Sequence, residues 1–154
     1  MVNIQLGRTK VVRRAYGIDE TALVPGGRTV DPEITDTCWN LAGIEREIPI
    51  IASAMDSVVN VDMAVALSRL GALGVINLEG VQTRYKDPNP VLDRISSIGK
   101  DAFVPLMQEI YSKPVQEALI YQRIKEIKNQ GGIAAVSGTP VAAMRFSKTI
   151  AEAG

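Results

Sequence analysis

Histidine is absent from this chain, and cysteine occurs once, at Cys38. The first absence excludes a Ser-His-Asp triad, a His-assisted cysteine nucleophile and His-ligated zinc from these residues. Acid–base chemistry must therefore rest on other groups. A single cysteine cannot close an internal disulfide, which fits a reducing cytoplasm as the expected setting. Net charge is also missing, since 17 Lys and Arg balance 17 Asp and Glu. The positive excess that grips many phosphates is lacking, so no nucleic-acid partner is expected. The local cluster Lys10, Arg13 and Arg14 reads as a solvated segment. No stretch approaches the roughly 20 apolar residues of a membrane span. Residues Met1 to Leu6 lack a signal-peptide core, so no membrane partner is expected either.

What is present suits a domain with a real core: 154 residues, 46% of them hydrophobic. Ile48-Pro49-Ile50-Ile51-Ala52-Ser53-Ala54-Met55-Asp56 is a short apolar run ending at a polar turn, the pattern of a strand buried on both faces. Ser57 or Asn60 can cap the helix that follows. From Val61 the apolar residues recur at Ala64, Val65, Leu67 and Leu70, a single helical stripe that Gly71 can terminate. Gly74 to Leu78 is a second buried strand. Strand, helix and strand with tight connections predict a βαβ unit and a parallel sheet.

Around this unit, Thr35 to Leu41 and Ile44 to Ile48 read as a small hairpin leading into the first buried strand. Trp39 reads as an apolar plug at the edge of the core. Asp87-Pro88-Asn89-Pro90 is a breaker, after which Val91, Ile95 and Ile98 form a short amphipathic helix ending at Gly99. Periodicity leaves Ala102 to Tyr111 open between a helix and a strand with a turn. Pro114 sits where a helix can start. Val115, Leu119, Ile120, Ile124 and Ile127 give a strong stripe, with Arg123 among the residues assigned to the outer surface. Gly131-Gly132 closes that helix. Ile133 to Ser137 is the next strand, and Ala143, Phe146, Ile150 and Ala153 share one side of a closing helix.

Ligands of parallel α/β sheets gather where the strands' C-terminal ends feed the βα loops. That rule selects Ser53 to Ser57, Asn77 to Gly80 and Ser137 to Thr139. Helix N-termini near Asn60 and Pro140 expose N–H groups suited to anions. The same residues also have plainer readings: Ser57 and Asn60 as caps, Met55 as core filler, Thr139 as a helix start. The Gly71 to Gly74 segment precedes a strand, the wrong context for a dinucleotide phosphate loop, and no Walker A sequence is present. Cys38, in a hairpin and without histidine, reads as an incidental thiol.

Pro49-Ile50-Ile51-Ala52-Ser53-Ala54-Met55-Asp56-Ser57-Val58 resembles the strand-and-turn signature of the IMP dehydrogenase and GMP reductase family. Tyr16 to Pro25 is similar to that family's lead-in, and Gly71 to Ile76 to its second strand. The resemblance implies α/β architecture: the N-terminal part of a (β/α)8 TIM barrel, without the CBS modules that most such dehydrogenases insert after the second strand. The expected organisation is a lead-in and hairpin over residues 1–47, then the first βα units over 48–154, with a helical insertion at 81–131.

It further implies oxidation of IMP to XMP with NAD, or reduction of GMP to IMP with NADPH, in a homotetramer or octamer that uses a monovalent cation (K+). Carried over by residue, Ser53 and Met55 match positions that touch the purine nucleotide, and Thr139 a position near the dinucleotide. Asn77 and Glu79 fall where the family has a histidine-containing segment. The family's catalytic cysteine belongs to a loop beyond Gly154, and Cys38 is not that residue. The pattern stops where another strand is due, so the chain is expected to be the N-terminal portion of a longer enzyme and inactive alone. Two other readings stay open: a non-catalytic partial barrel that acts by assembly, and a self-contained α/β domain sharing the motif.

Overall fold

A computed structural model describes residues 3–154 and divides the chain into two units, Met1–Asp36 and Thr37–Gly154. In the first unit, β1 (Asn3–Leu6) and β2 (Lys10–Arg13) form an antiparallel hairpin in which Ile4 faces Val12 and Leu6 faces Lys10. The residue pattern predicts no strand there. Two 3-10 turns follow, at Ile18–Glu20 and Pro32–Ile34. Every described residue of this unit is exposed. Arg14 bonds Glu20 at 2.5 Å and lies over the Tyr16 ring, which uses part of the basic cluster within the segment.

The second unit begins with the expected hairpin, β3 (Trp39–Leu41) and β4 (Ile44–Arg46). Trp39 is half-buried and its indole N–H donates to the Ile48 carbonyl at 2.7 Å. The hairpin is fastened to the start of the parallel sheet. Ile48 N–H donates to the Gly71 carbonyl at 3.0 Å, and the Arg46 guanidinium donates to the Ala72 and Ser68 carbonyls. Gly71 has φ +85°, the left-handed conformation that ends helix α1 and that a side chain would strain.

Three parallel strands follow in spatial order β5 (Ile51–Ala52), β6 (Leu73–Asn77), β7 (Ala135–Ser137). Strand β5 is shorter than the apolar run implied, because only Ile51 and Ala52 meet the ladder. Helix α1 (Val61–Arg69) joins β5 to β6, capped by the Asn60 side chain, which accepts from Met63 N–H at 2.8 Å. Part of its apolar stripe meets the sheet as expected: Val59, Ala64, Val65, Ile76 and Ile127 form one buried cluster, with Ala52 and Val136 against it, whereas Leu70, expected in the stripe, is exposed at the helix end.

Residues 81–131 hold a 3-10 turn and three helices. The turn (Val81–Thr83) leads to α2 (Asn89–Ser97), α3 (Lys100–Ser112) and α4 (Glu117–Asn129). The undecided stretch around Ala102 to Tyr111 is helix α3, which tolerates Pro105 because Leu106 and Ile110 bury a common face with Val81. Helix α4 starts at Glu117, three residues after Pro114. Its stripe is Leu119, Ile120, Ile124 and Ile127, but Arg123 lies in it and is buried rather than on the surface. The guanidinium donates to the carbonyls of Gln82 (3.1 Å) and Lys86 (2.7 Å) and to the Glu126 carboxylate (2.9 Å), so the buried charge is paired and hydrogen-bonded. Burial raises the Glu126 pKa, and the bonds from Arg123 and Gln122 overcome that and hold the carboxyl below its ordinary value. Helix α5 (Pro140–Ala153) packs on α4 through Ala142, Phe146 and Ala153. Ala142 takes the inward place expected of Ala143, which is exposed. No described helix is long and apolar enough to cross a membrane.

Candidate functional site

The C-terminal ends of the three strands point to one rim, and the loops leaving them are tied together by two carboxylates. Asp56, in the loop after β5, reaches the loop after β6. Its Oδ1 accepts from Val81 N–H at 2.9 Å and its Oδ2 from the Tyr111 hydroxyl at 2.6 Å. Gly80 allows this approach, because a Cβ there would fall on the Asp56 carboxylate. Glu79, in the loop after β6, reaches the loop after β7 and accepts from Thr139 N–H at 2.8 Å. Between them, the Asn77 side chain accepts from Glu79 N–H at 3.0 Å and shapes the turn. Each loop is thus pinned to the next by a charge-assisted bond to backbone, the stronger class of hydrogen bond.

Two hollows open on this rim. The first, about 370 Å³, lies between the strand loops and the α2–α3 pair. Met55, Asp56, Ser57 and Asn77 line it from below; Leu92, Ile95, Phe103, Met107 and Tyr111 line it from the helices. Its polar groups belong almost entirely to the strand side and its apolar groups to the helical side. Burial, and then the bond to Asp56, push the Tyr111 phenol well above its ordinary pKa, although the Arg84 guanidinium over its ring pulls the other way. Tyr111 therefore keeps its proton and remains a donor to Asp56.

The second hollow, about 260 Å³, is lined by Glu79, Arg84, Thr139, Val141 and Arg145 among others. Arg84 donates to the carbonyls of Glu79 (3.1 Å) and Lys113. Thr139 caps α5, its hydroxyl accepting from Ala142 N–H at 3.3 Å.

The sequence-selected residues divide between these places. Met55 lines the first hollow and is 51% exposed. Ser53 is exposed and does not line it; two residues beyond Ile51, it falls on the sheet face opposite to Ala52 and the helices. Thr139 lines the second hollow and also caps a helix, so its two sequence readings hold together. Asn77 belongs to the first hollow and Glu79 to the second. Asn60, not Ser57, caps α1. Cys38 is exposed in the segment before β3, at the end of the sheet where the hairpin meets Gly71 and Ala72, opposite to the rim. No motif or period in the sequence marks Tyr111, Arg84 or Phe103 as part of a site. Their partners lie 55 and 29 residues away or on another helix, beyond the reach of any local pattern.

Residues 15–88 match the IMP dehydrogenase / GMP reductase domain model. An uncharacterized oxidoreductase of Mycolicibacterium smegmatis is 31% identical over 159 aligned residues, covering 100% of this chain and 42% of that protein. Inosine-5'-monophosphate dehydrogenase of Methanocaldococcus jannaschii is 48% identical over 65 residues, 42% of this chain and 13% of that enzyme. The crystal structure of an IMP dehydrogenase/GMP reductase-like protein from Corynebacterium glutamicum superposes with a TM-score of 0.76 over 99% of this chain and 42% of that one, at 24% identity, which supports the fold. The chain thus spans 42% of the length of the curated oxidoreductases that it matches throughout. Residues 15–88 thus carry the IMP dehydrogenase / GMP reductase domain, and the likeness to longer oxidoreductases runs along the whole chain.

Proposed function

We propose that this chain supplies the first βα units of a (β/α)8 barrel in a purine-nucleotide oxidoreductase, with IMP dehydrogenase chemistry: IMP, NAD and water to XMP and NADH. The observation that carries the reading is the position of Met55. It comes from the strand and turn inside the family-matched segment, and it lines a hollow at the C-terminal rim of a parallel sheet. In this reading Met55 meets the purine nucleotide inside the hollow, and the Ser53 hydroxyl, outside that hollow, meets it from the exposed side of the strand end.

NAD, the hydride acceptor when bound, fits the second hollow in charge. Arg84 and Arg145 face one carboxylate there, Glu79, which is already engaged with Thr139 N–H. This chain's part is to bind and orient the phosphates, with Thr139 keeping the α5 N-terminus at the rim. The family's monovalent cation (K+) and its tetramer or octamer belong to this proposal for the whole protein, and no residue of this chain is assigned to either. A cytoplasmic setting belongs to it as well.

The test is turnover by the longer protein. IMP with NAD should yield XMP and NADH, and GMP with NADPH should be inert; the reverse outcome assigns GMP reductase, the other activity named by the matched domain. Silence with both pairs rejects the purine reading. The 154-residue chain alone should turn over neither pair, since Cys38 lies away from the rim.

A further inference from the structure

The α2–α3 pair is the part of the rim for which the motif and the domain match give no role: the match ends at residue 88, and both helices follow it. Their inner face carries Leu92, Ile95, Phe103, Met107 and Tyr111 toward Met55 across a hollow of about 370 Å³. That size lies within the range of small-molecule sites, which combine apolar walls with a few convergent polar groups. Phe103 is 42% exposed and Met55 51%, so the hollow leaves an aromatic face and a thioether open to solvent. Thioethers and aromatic faces at van der Waals range favour a flat, polarizable ring between them. The polar atoms sit on one side only, at Asp56, Ser57 and Asn77, where the edge of a heterocycle can meet acceptors and donors.

The two walls are also held at a fixed separation. Tyr111, on α3, bonds Asp56, the residue after Met55; the Tyr85 hydroxyl donates to the Ile110 carbonyl at 3.2 Å, fastening the same turn of α3 to the loop after β6. Arg94 and Glu109 join α2 to α3 through two bonds of 2.9 and 2.7 Å.

We propose that α2–α3 forms the second wall of a site for a flat heteroaromatic base, sandwiched between Met55 on the strand side and Phe103 with Met107 on the helical side, with the Asp56–Tyr111 bond positioning the walls. The proposal rests on the nucleotide reading above, which it deepens by assigning the base-facing residues that the motif does not contain. Asp56 and Tyr111 are positioning residues; Phe103 and Met107 touch the base.

Methionine methyl resonances of the 154-residue chain, with 13C-labelled methionine, test it directly. Met55 and Met107 line the hollow, whereas Met63 and Met144 are exposed on α1 and α5 and serve as internal controls. Titration with IMP and with inosine should shift Met55 and Met107 together and leave Met63 and Met144 in place. Ribose 5-phosphate should shift neither of the first pair. Phe103→Ala should weaken inosine binding about fivefold through loss of ring contact, with an unchanged circular dichroism spectrum. Movement of Met55 without Met107, equal shifts by ribose 5-phosphate, or no shift at all would overturn the second wall. Its failure is separable from that of the enzymatic reading. Turnover of IMP by the longer protein with an unmoved Met107 keeps the enzyme and rejects the wall; paired shifts with inosine but no turnover keep the wall and reject the enzyme.

Discussion

The two carboxylates on the rim do the same job in different surroundings. Asp56 takes two donors, is half-buried, and presses against a glycine; one of its donors, Val81 N–H, belongs to a residue with 0% exposure. Glu79 takes one donor, Thr139 N–H, at an exposed turn. A buried donor that loses its acceptor has no water to replace it, whereas an exposed one does. The Asp56 clasp should therefore be structural and the Glu79 clasp adjustable, although both read alike as acidic residues following strands.

Substitutions can pull this contrast apart. Asp56→Ala leaves Val81 N–H without an acceptor and frees Tyr111, and should cost about 3 kcal/mol in urea unfolding. A loss no larger than that of the Glu79 variant would show the two clasps to be equivalent. Gly80→Ala should cost about 2 kcal/mol, because the new methyl collides with the carboxylate. Its φ of −92° suits any residue, so a purely conformational origin predicts no such loss. Tyr111→Phe removes one donor and keeps the ring, for about 1 kcal/mol.

The same variant has a pH signature. The folded-state pKa of Tyr111 is raised above its unfolded value of about 10. Its contribution is thus complete below that pH and is lost as pH rises beyond it. Tyr111→Phe should accordingly flatten the alkaline limb of a stability profile and leave the limb below pH about 9 parallel to the parent. Glu79→Gln, at the exposed clasp, should cost only about 0.5 kcal/mol, visible as a small shift of the thermal midpoint.

The contrast also marks what can be read from residues alone. Helices α1 and α5 were legible because apolar residues repeat at the helical period and because Asn60, Gly71 and Thr139 stand at their ends, and strand β6 because it is a short apolar run just after Gly71. Met55 at the rim was legible from the abrupt change from apolar run to Asp56. The β1–β2 hairpin was hidden because nothing in it is buried, so no face is selected. Arg123 looked like surface because its charge is satisfied by carbonyls 37 and 41 residues away. Pro105 obscured α3, since a proline counts against a helix until Leu106 and Ile110 are seen to find a partner face. The helical wall of the first hollow and the Asp56–Tyr111 bond are tertiary facts with no local trace.

One small feature sets how freely this architecture can be elaborated. Gln116 closes the segment after β6 on itself: its N–H donates to the Thr83 carbonyl at 2.9 Å and its side-chain amide to the Arg84 carbonyl at 2.7 Å. Departure and return of the polypeptide are therefore adjacent, as at the neck of a purse. Whatever hangs between residues 84 and 116 starts and ends at one place, and its few ties to the rest of the chain include the Tyr111 hydroxyl on Asp56, the Lys86 carbonyl under Arg123, and Leu106 and Ile110 against Val81.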